Sequence, residues 1–393
     1  MLLSIKSGLC QLMGTPQERA KSLLGLIREH ADASETQRHL KSEVASAFAR
    51  EGLFRIAAPI DFFGSEQDPV TQIETIESIA SVDGSAAWNL MIGIETFGLI
   101  APGFTHCREL IEDQSVIMCS STASAGRAEK VDGGYRVTGR WGFCSGCHNS
   151  DLFGATVFIY ENGERDETGH QYLVVPKPQF EILDTWHTSG LCGSGSHDVL
   201  LEDVFVPEER LVAPLGKVQH QSALLRMPFR SRLCYNKVAI AFGLARSALD
   251  SFVELAEGKV PRFTSKSLKN RGWAQRAIAE SEVRVRSARA LVIELVESLW
   301  EKARLDQPVS DKETAIFQLA CSDAVRGCIA SVNQLVEAAG TTANQKGHPL
   351  ERTARDIQVV GQHQTVAPHH IEDAGRVLLG VPAVDAMLAS MSS

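Results

Sequence analysis

Between Arg352 and His370 the chain reads RTARDIQVVGQHQTVAPHH. Of its three histidines, His363 stands inside the stretch and can exchange a proton near neutral pH, whereas its neighbour Gln364 cannot accept one. A histidine in a helical stretch is most often a surface or satisfied core residue, so His363 needs support from elsewhere in the chain. Ser145 offers a hydroxyl that can both donate and accept a hydrogen bond. It lies inside Cys144-Ser-Gly-Cys147, formally a C-x-x-C. No second cysteine pair stands at metal-site spacing, and the motif falls in a strand-like segment instead of at a helix start, which argues against zinc and against a redox pair. Lys259 and Arg262, in GKVPRFTSKS, could pair phosphate oxygens, Lys as a point charge and Arg as a fork; a solvated loop would read the same way. Gly193-Ser-Gly-Ser-His197 is glycine-rich but leads into a strand-like run, so it is no dinucleotide-binding loop, and stable nicotinamide binding is not expected. His148, His197, His369 and His370 read as surface or structural residues. The last two, with Glu372 and Asp373, show no metal spacing, and no metal is expected.

These residues sit in a chain of 393, long enough for two or three domains. Hydrophobic residues make up 44% and charged residues 22%, proportions ordinary for a globular protein with a sizeable core. A net charge of −9 without a basic block argues against nucleic acid and against an anionic membrane as partners. No apolar run reads as long enough for a spanning helix. Met1 to Gly14 is mildly apolar but makes a poor signal peptide. The nine cysteines are odd in number and scattered, as expected of reduced thiols in a cytoplasmic protein.

Three zones must position the chemistry. Residues 1–112 read as an N-terminal helical domain: PQERAKSLLGLIREHA has an apolar stripe opposite its charges, Pro16 suits a first turn, and Gly52 ends the next helix. Two further helices break at Asp83-Gly84-Ser85. Residues 113–214 read as a β-domain, with SVIMCSST, GGYRVTGRW, DLFGATVFIY, HQYLVVP and DVLLEDVFVP as strands and Gly133-Gly134 as a tight hairpin connection. Residues 215–393 return to long amphipathic helices, which argue for an up-down four-helix bundle. They carry more apolar faces than one core needs, so an oligomer is expected.

Several strings resemble the acyl-CoA dehydrogenase superfamily: GLFR-x-x-x-P followed by Phe-Gly and DGSAAW, then VDGGYRVTGRW followed by Ser-Gly, GSGSHDVLLEDVFVPEER, and the late R-x-x-RD at Arg352, Arg355 and Asp356. The resemblance runs from about residue 15 to 385. It implies an α+β, mainly α fold of helical domain, β-domain and four-helix bundle, assembled as a homotetramer. In the dehydrogenases R-x-x-RD runs on to a catalytic Glu; here that position falls on Gln364, with His363 before it. This is similar to the superfamily's flavin-dependent monooxygenases, the two-component, group D type hydroxylases.

The resemblance then implies an oxygenase component that uses reduced FMN or FAD, supplied by a separate NAD(P)H:flavin reductase, with O₂ as co-substrate. It would hydroxylate a small electron-rich substrate of phenol or indole type through a flavin C4a-hydroperoxide. His363 takes the role of base or peroxide hydrogen-bond donor. Ser145 aligns with the residue that bonds flavin N5, and Phe143 with the flavin-facing aromatic. Ser120, Ser121 and Thr122 align with the strand that meets the pyrimidine edge. Phe263 matches a family Phe, but the Gly after it is Thr264, which leaves FMN open beside FAD. Trp88, Met91 and Gln364 are expected near the substrate. The alternative, an acyl-CoA dehydrogenase using FAD, lacks its carboxylate at Gln364.

Overall fold

The computed structural model describes residues 13–212 and 221–382. The leading segment through residue 12, the expected 214/215 boundary and the apolar stretch beyond 382 lie outside the described residues. The helices are α1 (Pro16–Ser22), α2 (Leu24–Gln37), α3 (Ser42–Arg50), α4 (Pro69–Ala80), α5 (Gly84–Ile100), α6 (Ala223–Arg226), α7 (Phe229–Gly258), α8 (Gly272–Arg304), α9 (Asp311–Ala339), α10 (Pro349–Gly361) and α11 (His369–Leu378). The strands are β1 (Met118–Val131), β2 (Gly134–Trp141), β3 (Leu152–Glu161), β4 (Glu164–Pro176), β5 (Glu181–Leu183), β6 (Asp198–Pro207) and β7 (Leu211–Val212). By contacts the chain forms two compact units: residues 1–67, 88–188 and 192–225, and residues 68–87, 189–191 and 226–393. The division falls within α5.

In the first unit the strands form one seven-stranded sheet in the order β5-β6-β2-β1-β3-β4-β7. The β1–β2 hairpin turns at Asp132-Gly133, where Gly133 has φ +75°, a conformation glycine adopts without steric cost. β1 and β3 run parallel; the other neighbours are antiparallel. The core under the sheet centres on Trp141, Phe153, Val157 and Leu173, all fully buried. Trp141 fits because a Cβ at Gly126 or Gly139 would lie 2.4 or 2.7 Å from its ring. Its indole N–H donates to the Thr156 carbonyl at 2.8 Å, satisfying the one polar atom carried into the core.

The second unit gathers α4 with the long helices. Gly243 of α7 makes this possible, since a Cβ there would meet the Ala80 Cβ and the Glu77 carbonyl at 2.4 Å. Tyr235 donates to Gln72 Oε1 at 3.0 Å, and Arg289 of α8 pairs with Glu77 at 2.9 Å. α7 is buried continuously from Cys234 to Ala245 and forms the centre of this unit. α9 begins at a capping box between Ser310 and Glu313. Residues 311–344 are long and apolar enough to cross a membrane, a length the sequence reading did not credit; most of the stretch is buried within the protein, as a core helix of a bundle requires.

Candidate active site

The loop that presents Ser145 follows directly from β2. Its backbone turns through two left-handed residues, Phe143 at φ +58° and Gly146 at φ +79°. It is sewn to the neighbouring segment by Cys144 N–H to the His197 carbonyl (2.9 Å) and Gly146 N–H to the Ser194 carbonyl (3.0 Å). Gly146 also admits Asn89, whose Oδ1 would stand 2.9 Å from any Cβ there; Asn89 Nδ2 donates to the Gly193 carbonyl at 3.3 Å. The loop is therefore held by backbone, not by its exposed side chains.

The Ser145 hydroxyl points inward. It accepts from Trp88 Nε1 at 3.0 Å and lies 2.7 Å from Ser196 Oγ, which in turn lies 2.7 Å from Ser194 Oγ. All three serines are at least 95% buried. Hydroxyl protons rotate, so this chain can deliver either a donor or a lone pair at Ser145 without moving a heavy atom. Trp88 fixes the geometry of that chain. Met91, fully buried on the same helix, packs in the core. Phe143 projects outward, 67% exposed, edge-on to Trp186 with ring centroids 6.3 Å apart. Ser121 is buried and donates to the Gly142 carbonyl at 2.6 Å, so it braces the same loop from β1; Thr122 is exposed, and Ser120 reaches Thr96 Oγ1 at 3.4 Å.

Cys144 and Cys147 are buried, and burial raises both thiol pKa values, keeping the sulfurs neutral. They bond the carbonyls of Trp141 and Gly195 and tie the loop down. The first unit also holds a histidine cluster: His39 stacks on His148 at 4.2 Å, and His148 meets His197 at 4.8 Å. Burial depresses all three imidazoles, His148 to about 4. His197 Nδ1 accepts the backbone N–H of Thr185 and of Trp186, each at 3.2 Å, so it braces that turn.

In the second unit the Arg-Asp pair has an architectural task. Asp356, 3% exposed, accepts the Leu191 N–H at 2.6 Å, and Leu191 is held at φ +50°. Arg355 forks onto Glu351 and donates to the Ser189 carbonyl at 2.6 Å. A Cβ on Gly190 would lie 2.3 Å from the Arg355 carbonyl. The pair thus clamps residues 189–191 against α10.

α10 ends at Gly361, and His363 starts the single turn Gln364–Val366. Its Nδ1 accepts the Thr365 N–H at 3.3 Å and lies 2.9 Å from Thr365 Oγ1. With Nδ1 occupied as acceptor, the hydrogen bonds assign the ring proton to Nε2. Thr365 is anchored in turn by Gln318 of α9, which donates to its carbonyl. Crowding around the imidazole, with the Lys237 ammonium adding, lowers the His363 pKa to about 3. The ring is therefore neutral through the physiological range. Gln364 directs its amide outward while its carbonyl accepts His370 Nε2 at 2.6 Å.

Lys259 donates to the Ala339 carbonyl and, at 2.6 Å, to Thr342 Oγ1, which caps the C-terminal end of α9. Arg262 is exposed, and Phe263 is 99% exposed at φ +60°. Ser194, Ser196, Lys237 and Gln318 were not singled out from sequence. Lys237 had a legible signal, a lone cation inside the apolar run LCYNKVAIAFG; the serines had only their alternation in GSGSH.

Residues 236–368 match the family described as acyl-CoA dehydrogenase, C-terminal domain. The chain is 31% identical over 363 residues to indole-3-acetate monooxygenase of Pseudomonas putida, covering 92% of this chain and 93% of that protein. It is 29% identical over 399 residues to the flavin-dependent monooxygenase oxygenase subunit HsaA of Rhodococcus jostii, covering 94% and 100%. Among solved structures, 3-HSA hydroxylase from Rhodococcus sp. RHA1 superimposes with a TM-score of 0.84 at 26% identity, covering 95% of this chain and 99% of that one.

Proposed function

Because the chain belongs to the flavin-dependent monooxygenases of the acyl-CoA dehydrogenase fold, we propose that it is the oxygenase component of a two-component system and hydroxylates a small electron-rich aromatic of phenol or indole type. The observation that carries this reading is the half-buried His363, its Nδ1 held by Thr365 and its ring neutral, standing beside the non-basic Gln364. A dehydrogenase needs a carboxylate to take a proton from carbon; an oxygenase needs donors and a dry surrounding.

The residues present fit a reduced flavin. Three buried hydroxyls in series suit a ring edge that both donates and accepts. Phe143 supplies an exposed aromatic face, and Arg262 a cation for a phosphate. When bound, reduced flavin would supply two electrons to O₂, so that one oxygen atom enters the substrate and the other leaves as water, the hydroperoxide chemistry that the resemblance implies. Ser145 would hold a ring N–H, with Trp88 and Ser196 setting its orientation. His363 would donate from Nε2 to the substrate oxygen or to the oxygen being transferred, and Thr365 keeps it in that tautomer. Lys259, occupied at the end of α9, leaves Arg262 and Phe263 as the outward groups of its loop. Either FMN or FAD can be served by these groups.

A separate NAD(P)H:flavin reductase is proposed as partner, in keeping with a relative named as an oxygenase subunit. A homotetramer is proposed from the exposed Trp273, Val283 and Leu291 on α8. The test of function is direct: the protein, reduced FMN or FAD and ¹⁸O₂ are mixed with indole-3-acetate, 4-hydroxyphenylacetate and phenol, and products are read by mass spectrometry. One ¹⁸O in an aromatic product supports the reading. Oxidation of octanoyl-CoA by a dye-coupled assay, with no oxygenated aromatic, overturns it.

A further inference from the structure

Glu95 is the one ionisable residue of α5, GSAAWNLMIGIETFGLI, and it is carried into the protein at 8% exposure. Burying a carboxyl among apolar side chains is costly, and an aliphatic residue would fill the place without that cost. The exposure that α5 retains is not scattered. Ala86, Ala87, Leu90, Met91, Ile94 and Phe97 are all at 0%. Trp88 keeps 7%, Ile92 is partly exposed, Glu95 keeps 8% and Leu99 keeps 9%. These four stand at i, i+4, i+7 and i+11, within about 60° of one another around the helix. Elsewhere α5 packs without clearance: a Cβ on Gly93 would lie 2.1 Å from the Phe54 ring, and one on Gly98 2.9 Å from the Ala57 Cβ. One stripe of this helix therefore borders open space, and the carboxyl lies on it.

Hydrogen bonds and packing place the stripe. At its start the Trp88 indole N–H donates to Ser145 Oγ at 3.0 Å. Farther along, Ile92 packs on the sheet core, and Thr96, next to Glu95, has its Oγ1 3.4 Å from Ser120 Oγ of β1. The stripe thus runs from the Ser145 hydroxyl past β1, with Glu95 about 10.5 Å along the axis from Trp88. Small-molecule clefts have mostly apolar walls and a few placed polar groups. Here Trp88, Ile92 and Leu99 are the wall and Glu95 is the polar group.

We propose that Glu95 is a specificity residue that accepts a hydrogen bond from a donor attached to the substrate's aromatic ring, a ring N–H or a phenolic O–H; this rests on the monooxygenase reading above. A carboxyl keeps an acceptor oxygen in either protonation state, and its two oxygens carry several lone pairs, so a bond to a protein group leaves capacity for a ligand. Accepting that hydrogen raises the electron density of the ring, which makes it a better nucleophile toward the oxygen being transferred. It also orients the substrate, with its donor at Glu95 and its ring along the stripe toward Ser145.

The experiment measures binding without turnover, to anaerobic protein holding reduced FMN. Indole is compared with benzofuran, and phenol with fluorobenzene, pairs that match in size and differ in the ring donor. The wild type is expected to bind the donor of at least one pair roughly 10-fold or more tighter than its counterpart, the usual size for a hydrogen bond that leaves a buried acceptor unmatched when lost. The pair with the larger ratio tells a ring N–H from a phenolic O–H. Glu95→Leu should bring that ratio to within about twofold of one, whereas Glu95→Gln, whose amide oxygen still accepts, keeps part of it. The Kd of reduced FMN should stay within about threefold in both variants, as expected of a group that serves the substrate and not the cofactor. If Glu95→Leu does not fold, the wild-type ratios and Glu95→Gln still decide. Equal binding within both pairs in the wild type, or an unchanged ratio in Glu95→Leu, overturns the proposal while leaving hydroxylation intact. A lowered thermal midpoint in Glu95→Gln with the ratio unchanged also overturns it and makes the carboxyl a structural group. No oxygenated product from any aromatic sinks the underlying reading instead.

Discussion

The two regions that carry the candidate chemistry are built on opposite physical plans. Around Ser145 polar groups are matched to one another: hydroxyl to hydroxyl, indole N–H to hydroxyl, the amides of Cys144 and Gly146 to carbonyls. Its properties are set by geometry, and its charge state does not change with pH. Around His363 the control is electrostatic. Burial of the ring, with the Lys237 ammonium adding, holds the imidazole neutral, while Thr365 fixes which nitrogen bears the proton. The first arrangement delivers an adaptable hydrogen bond at a rigid point. The second delivers a donor whose protonation state is insensitive to the medium. The lesson is that uncharged hydroxyls set their hydrogen bonding by geometry alone, whereas the protonation state of an ionisable ring is set by its surroundings.

Removing the imidazole tests this contrast most severely. His363→Ala should lower hydroxylation by roughly 10²–10⁴-fold, the usual worth of a positioned proton donor or acceptor, with H₂O₂ appearing in place of product and flavin binding near normal. Full coupling between O₂ use and product in this variant would end the assignment. Wild-type turnover should show no His363 inflection near neutrality, because its pKa lies near 3. Linkage gives a companion result. The folded pKa is below the unfolded value, so the unfolded chain takes up the proton first. Stability should therefore fall as pH drops from about 6.5 toward 3, and part of that slope should vanish in His363→Ala. The depressed His39, His148 and His197 contribute in the same direction.

Asp356→Ala asks whether the second region depends on its clamp. It removes a buried carboxylate from the Leu191 N–H, and loss of such a charge-assisted bond costs about 3 kcal/mol. A large drop in thermal midpoint is expected, and stability within 0.5 kcal/mol of wild type, roughly the scatter of neutral surface changes, would show that the loop holds itself. Ser145→Ala addresses the hydroxyl region and should act on coupling. One lost hydrogen bond, with the Trp88 indole left unmatched, is worth roughly 1–3 kcal/mol. Release of H₂O₂ should rise relative to product in stopped-flow and product assays, while an unchanged ratio would remove Ser145 from the site. The smallest effect belongs to Lys259→Met, about 0.3–1 kcal/mol for a cation at a helix C-terminus. It should appear in thermal unfolding with flavin affinity unchanged; a weakened flavin Kd would return Lys259 to the cofactor.

The hairpin at Gly133, the strands from GGYRVTGRW to DVLLEDVFVP and the long bundle helices were legible because their periodicity and turn residues act over a few neighbouring positions. His363 and Ser145 were legible through a resemblance in their flanking strings. The grouping of α4 with the bundle was not, because it depends on Gly243 permitting a contact with Ala80 across more than 160 positions. Ser196 and Lys237 were missed for the same reason, since nothing in their local pattern states what they touch.

By itself the sequence determined the classes of element, the family of fold and the substitution of His-Gln for a catalytic carboxylate. Those follow from residue type and short-range spacing. Only the tertiary structure decided that the Arg355–Asp356 pair is a clamp, that Lys259 caps a helix, that the His363 imidazole is held neutral and that Arg232 is a buried cation with no ion pair among the described residues. Each of these depends on burial and on partners distant in the chain, and a charge or a pKa is fixed by those surroundings, not by the residue's own place in the sequence.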